Sequence, residues 1–71
     1  MCQNVPKQFS ARLRWLREKR GINRKVLSEL CGLSKNMIAR YERGEQEPTL
    51  TVIVEIAEFF DVSADFLLFG K

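Results

Sequence analysis

Apolar residues recur at helical spacing through almost the whole chain, and no stretch alternates between apolar and polar residues as a half-buried strand does. Phe9, Leu13 and Leu16 are spaced like the buried face of an amphipathic helix. Gly21 follows them, and a glycine commonly ends a helix in the left-handed conformation. The pattern therefore predicts a first helix that ends before Gly21 and indicates an all-α protein.

Short polar residues mark the starts of four further helices, because their side-chain oxygens accept hydrogen bonds from the free amides of a first turn. The predicted helices are Arg24–Cys31 after Asn23, Lys35–Glu42 after Ser34, a fourth from Thr49 to about Phe60, and Ala64–Phe69 after Ser63. Short helices with tight connections predict one compact domain over residues 9–71, preceded by a flexible N-terminal arm at residues 1–8.

The second and third predicted helices have the lengths of a helix-turn-helix unit. Ser28 is small where the two helices must approach each other, and Gly32 supplies a left-handed turn residue between them. The residues expected to face the core are Val26 or Leu27, Leu30, Leu33, Ile38 and Tyr41. Such units also occur in helical bundles of other kinds, so the lengths alone leave the function open.

The positive charge is concentrated in the first part of the chain. Eleven of the twelve Lys and Arg residues and three of the nine carboxylates precede Gly44, which gives that part a net charge of +8. The remainder carries one Lys and six carboxylates, which gives −5. A strongly basic part beside an acidic one is typical of a protein that binds a polyanion with one face.

Several classes of protein are disfavoured by what the chain lacks. It contains no histidine, and neither a nucleophile paired with a base nor a glycine-rich phosphate loop is visible. Cys2 and Cys31 are too few for a disulfide scaffold or a metal knuckle, and Cys31 is expected to be buried. No apolar run approaches a membrane span, and residues 1–8 lack the apolar core of a secretory signal. We therefore expect a cytoplasmic non-enzyme without a metal, a cofactor or a small-molecule ligand.

Many spacings together resemble one known family. The matching positions are Leu13-x-x-Leu16-Arg17-x-x-x-Gly21, Leu27-Ser28-x-x-Cys31-Gly32-Leu33-Ser34, Ile38-x-x-Tyr41-Glu42-x-Gly44, Pro48, and the closing segment Val62 to Gly70. Over residues 9–70 the chain resembles the Cro/C1-type (XRE) helix-turn-helix family of phage repressors and bacterial regulators. The resemblance implies a five-helix lambda-repressor-like domain that binds double-stranded DNA.

In that family the third helix lies in the major groove and its first residues contact base edges. Carried over by position, the base-reading residues are Lys35, Asn36, Ala39 and Arg40. Their chemistry suits this role, because Lys and Arg donate to guanine, Asn pairs with adenine, and an Ala methyl contacts a thymine methyl. The alternative is that Lys35 and Arg40 belong to an ordinary solvated helix face.

The resemblance also implies contacts to phosphates and one internal ion pair. The phosphate-binding candidates are Asn23, Arg24, Lys25 and Arg43. Arg24 stands where the family commonly has Gln, and the loop after the third helix is acidic here although it is often basic in the family. The carboxylates of Glu45 and Glu47 would repel a phosphate, so no contact is carried over to that loop. Glu42 and Arg17 resemble a buried ion pair that links the first and third helices.

The apolar stripe of the fourth helix is wider than one core face requires. One hypothesis is a two-fold dimer contact formed by Phe59, Val62, Ala64, Phe66 and Phe69, and the other is that these side chains enlarge a small core. The sequence thus predicts a homodimeric transcriptional regulator, in particular a repressor, that binds a short inverted repeat. The alternatives are an antitoxin-type regulator whose C-terminal half binds a partner protein, and a helical interaction module without a nucleic-acid role.

Overall fold

The computed structural model describes residues 8–70, and within them the chain forms five helices and no strand. The helices are α1 (Gln8–Arg20), α2 (Arg24–Leu30), α3 (Met37–Glu42), α4 (Leu50–Phe60) and α5 (Ala64–Phe69). The predicted all-α class and the order of five helices are confirmed. The predicted arm lies outside the described residues apart from Gln8, which is the first residue of α1, and Cys2 lies outside them as well. No helix in residues 8–70 is long and apolar enough to cross a membrane.

Helix α1 lies at the centre of the packing. It contacts α3 and α5, while α2 packs against α3 and α4 packs against α5. The buried apolar residues are Phe9, Leu13, Leu16, Leu27, Cys31, Ile38, Tyr41, Ile53, Ile56, Ala57, Phe60 and Leu67. Cys31 is buried as predicted, and this burial, together with the charge of Glu55, raises the pKa of its thiol. The thiol therefore stays protonated and acts as a small apolar side chain.

The turn between α2 and α3 has the hydrogen bonds of a Schellman motif. The amide of Gly32 donates to the carbonyl of Glu29 at 3.1 Å, and that of Leu33 donates to the carbonyl of Ser28 at 2.8 Å. Gly32 has a φ of +73°, a conformation in which a Cβ atom is costly. The turn thus fixes the direction in which the chain leaves α2.

Three of the four predicted N-caps are confirmed. The side chains of Asn23, Thr49 and Ser63 each accept a hydrogen bond from the amide of the third residue of the helix that follows, at 2.8, 3.2 and 3.0 Å. The prediction for Ser34 is wrong, because α3 begins at Met37 and the residue at its N-cap position, Asn36, makes no capping hydrogen bond with its side chain. Ser34 instead accepts the amide of Met37 through its backbone carbonyl, at 3.0 Å.

The cap of α3 comes from α2 rather than from the adjacent chain. Ser28 Oγ accepts a hydrogen bond from the amide of Ile38 at 3.3 Å, and it donates to the carbonyl of Arg24 at 2.9 Å. Ser28 and Ile38 are fully buried, so neither the amide of Ile38 nor the hydroxyl of Ser28 can form a hydrogen bond with water instead. One side chain therefore satisfies a free amide of α3 and holds the two helices of the unit together.

Of the residues of α2 expected to face the core, Leu30 does not, and Leu27 rather than Val26 takes the inner position. Leu27 faces the core, whereas Val26 and Leu30 on the same helix are exposed, and Leu30 is 58% accessible. On α4, Leu50 and Val54 lie in solvent beside Glu55 and Glu58. Helical spacing gives the face of a helix but not the width of the core beneath it, and this core is narrow.

We expect Ser28→Ala to destabilise the fold by about 1–3 kcal/mol, because it leaves the buried amide of Ile38 without an acceptor. The matched control is Ser34→Ala, which should change the free energy of unfolding by less than about 0.5 kcal/mol since Ser34 is exposed and does not cap α3. Urea unfolding of both variants measures the difference. Equal losses would contradict the assignment of the cap to Ser28.

Candidate nucleic-acid interface

The residues predicted to read bases lie at the exposed edge of α3. Lys35, Asn36 and Arg40 are exposed and Ala39 is half-buried, while Ile38 and Tyr41 on the opposite face are buried. Lys35 and Asn36 were expected inside the helix, but they form the turn that precedes it. The structure thus places Lys35 and Asn36 in the turn before α3, and Ala39 and Arg40 within the helix, with Arg40 in its last turn.

A buried carboxylate links the first three helices. Glu42 Oε2 accepts from Arg17 Nε at 2.6 Å, and Glu42 Oε1 accepts from Arg17 Nη2 at 3.2 Å. The side chain of Glu42 is only 3% accessible, so its charge needs these partners. Arg17 also donates from Nη1 to the carbonyl of Ile22 at 2.9 Å, just before α2.

Arg24 is a second cation on the same carboxylate. Its Nε donates to Glu42 Oε1 at 3.0 Å, and its side chain remains 47% accessible. Two guanidinium groups therefore share one carboxylate, and the group of three keeps a net charge of +1. The excess charge is presented at the surface by Arg24, which belongs to the first turn of α2.

The other candidates for phosphate binding differ in whether their side chains already make hydrogen bonds within the domain. Lys25 and Asn23 are exposed, but Asn23 Oδ1 already accepts the amide of Val26 at 2.8 Å. Arg43 makes a two-point ion pair with Glu45, from Nε to Oε2 at 2.8 Å and from Nη2 to Oε1 at 3.1 Å. The hydrogen bond from Arg43 lowers the pKa of Glu45, so the carboxylate is ionised at neutral pH.

Most of the basic residues of α1 have partners within the domain. Arg20 Nη2 donates to the carbonyl of Phe60 at 3.2 Å, and Arg12 Nη1 lies 3.5 Å from the carbonyl of Leu67. These carbonyls belong to the last turns of α4 and α5, where positive charge is favourable. Arg14 makes an exposed pair with Glu18 at 2.9 Å, and this hydrogen bond lowers the pKa of the Glu18 carboxyl.

Of the five residues of the predicted dimer face, four are half-buried and one is exposed. Phe59 packs edge-on against Phe60, with ring centroids 5.0 Å apart, and Phe66 lies 6.4 Å from Trp15. Val62 and Ala64 are half-buried, whereas Phe69 is 56% accessible. Trp15, whose ring is covered on one side by Lys19 Nζ at 4.7 Å, was not expected on this surface.

We expect Glu42→Gln to destabilise the fold by about 3 kcal/mol, because it leaves the buried guanidinium of Arg17 with only the exposed carboxylate of Glu18, 4.0 Å away. Arg24→Gln removes a half-exposed partner of the same carboxylate and should cost at most about 1 kcal/mol. The free energy of unfolding in urea gives both values. Glu42→Gln affects both pairs and Arg24→Gln only one, so similar losses in the two variants would contradict the larger contribution assigned to the Arg17 pair.

Comparisons with known proteins were consistent with one another. A model of the helix-turn-helix family matches residues 13–67. A putative HTH-type transcriptional regulatory protein of Thermococcus kodakarensis is 45% identical over 49 residues, which are 69% of this chain and 15% of that protein. The transcriptional repressor RstR of the cryptic phage CTXphi, from Vibrio cholerae, is 35% identical over 54 residues, or 76% of this chain and 49% of that protein.

Among solved structures, the P22 c2 repressor in complex with a synthetic operator superposes with a TM-score of 0.83 at 28% identity, covering 99% of this chain and all of that one. The chain spans about half or less of the length of the two curated relatives described above. The family model covers most of the chain, and the fold and the spacing of the helix-turn-helix unit agree with it. The chain therefore belongs to the helix-turn-helix family of the Cro/C1 type.

Proposed function

We propose that this chain is a sequence-specific double-stranded DNA-binding domain of a transcriptional regulator, and that it acts as a repressor. The observation that carries the proposal is the exposure of Lys35 and Asn36 in the turn before α3 and of Arg40 on the helix itself, whose other face is buried. Exposed donors at the start of the second helix of such a unit can reach base edges in the major groove. The P22 c2 repressor, which has the same fold, is described in complex with an operator.

Backbone phosphates would provide the part of the affinity that does not depend on sequence. Arg24 and Lys25 lie in the first turn of α2, both exposed, and the ion pair with Glu42 orients the guanidinium of Arg24. A guanidinium held in this way loses little side-chain entropy when it meets a phosphate. The P22 c2 repressor, whose structure was solved with a synthetic operator, supports DNA binding by this fold.

Two copies of the domain would place two α3 helices on one face of the DNA. The exposed ring of Phe69 and the half-buried side chains of Phe59, Val62, Ala64 and Phe66 are the surface proposed for their contact. A two-fold dimer of this kind would set the half-sites of an inverted repeat about 34 Å apart.

Selection from random duplex DNA tests the proposal directly. We expect a palindromic consensus, and we expect binding to weaken with salt by a slope of about −0.9 in log K per neutralised phosphate. Fluorescence anisotropy with the selected duplex and a scrambled duplex of equal length gives both quantities. Equal affinity for the two duplexes, or affinity that does not change with salt, would contradict the proposed function. A consensus without two-fold symmetry would contradict the proposed dimer.

Single variants separate base reading from phosphate binding. Lys35→Ala, Asn36→Ala and Arg40→Ala should each lose about 1–3 kcal/mol of preference at particular base pairs. Lys25 is one of the residues proposed to bind phosphates. Lys25→Ala should therefore weaken binding to all sequences similarly and reduce the salt slope by about 0.9, the contribution of one phosphate. Repeating the selection with each variant gives the readout. An unchanged consensus in all three variants would show that Lys35, Asn36 and Arg40 do not read the bases.

A further inference from the structure

The acidic residue Glu45 lies next to the proposed DNA surface and is paired there with a cation. Arg43 is the C-cap residue of α3, and its guanidinium makes two parallel hydrogen bonds to Glu45, at 2.8 and 3.1 Å. Both side chains are about half accessible, at 56% and 50%. The pair therefore lies at the surface and not within the core, at the end of the helix that we propose to enter the groove.

The backbone fixes this pairing. The amide of Gly44 donates to the carbonyl of Tyr41 at 3.2 Å, and that of Glu45 donates to the carbonyl of Arg40 at 2.9 Å. These are the two hydrogen bonds of a Schellman motif, with Gly44 at a φ of +74°. Because the motif defines the path of residues 43–45, Glu45 returns to the end of α3 and its carboxylate reaches Arg43.

The geometry of the pair is also the geometry of phosphate recognition. A guanidinium binds a phosphate with the same two parallel N–H groups that it gives to a carboxylate. Glu45 occupies the Nε and Nη2 edge of Arg43, so a DNA phosphate that binds at this edge has to displace the carboxylate. A displaced carboxylate beside the phosphate would repel it, and the charge of Glu45 offsets that of Arg43.

We infer that Glu45 competes with DNA phosphates for Arg43 and so limits the affinity of the domain for duplexes of any sequence. This inference rests on the proposed function. It assigns Glu45 a role in setting the affinity for DNA of any sequence, and it leaves base reading to Lys35, Asn36 and Arg40. An exposed ion pair contributes little to stability, so removing it changes binding without unfolding the protein.

The test uses a labelled duplex of random sequence and anisotropy titrations between about 50 and 200 mM salt. Glu45→Gln removes the charge but keeps the shape of the side chain, and Glu47→Gln makes the same change in net charge two residues away at another exposed position. We expect Glu45→Gln to steepen the salt slope by about 0.9 and to raise the affinity about two- to fivefold at the lower salt. Glu47→Gln should leave the slope unchanged.

Arg43→Gln completes the test, because the effect of Glu45 should require this cation. In the wild-type background Arg43→Gln should change the slope little, and in the Glu45→Gln background it should remove the whole gain. Equal slopes for Glu45→Gln and Glu47→Gln, or a gain that persists without Arg43, would overturn the inference while leaving the proposed function intact. A wild-type protein that binds no duplex would overturn both.

Discussion

One buried carboxylate holds the first three helices of this domain in place. Glu42 on α3 is almost inaccessible to water, and a lone charge there would be very costly. Arg17 from α1 offsets this cost with two hydrogen bonds, and Arg24 from α2 supplies another. Because the three groups come from three helices, the angle at which α3 leaves the core is tied to the position of the proposed phosphate contact on α2.

The basic surface of the protein divides into structural and available charges. Arg12, Arg17 and Arg20 on α1 are directed at carbonyls or at the buried carboxylate. Lys35 and Arg40 on the helix-turn-helix unit are exposed, and neither takes part in an ion pair among the described residues. The net charge of the first part of the chain therefore exceeds the charge that can meet a polyanion, since much of it stabilises helix ends.

The periodicity and the caps were enough to predict the five helices, because both are local properties of the chain. The start of α3 was not predictable in this way. Its free amide at Ile38 is satisfied by Ser28, ten residues earlier on another helix, so the cap is a tertiary contact that no local pattern contains. The same limit applies to Arg24, whose partner Glu42 lies eighteen residues away, and to Trp15, which spacing alone could not place on the surface.

The pairing of Arg17 with Glu42 was expected only through the resemblance to a family, and the pairing of Arg43 with Glu45 was not expected at all. In the second case the sequence contained the signal. An arginine and a glutamate flank the glycine that ends α3, and a Schellman turn at such a glycine brings its two neighbours together. The carboxylate of Glu45 in the acidic loop thus binds the guanidinium of Arg43 as well as repelling phosphates.

The cap that Ser28 provides has a consequence for divergence within such regulators. Since an amide in the first turn of α3 is satisfied from α2, the exposed side chains of Lys35, Asn36 and Arg40 are not needed to cap that helix. Substitutions there leave the free energy of folding nearly unchanged, so mutations can accumulate at these positions without a folding defect. Under the proposed function, the base preference of such a protein can change one residue at a time while each intermediate still folds.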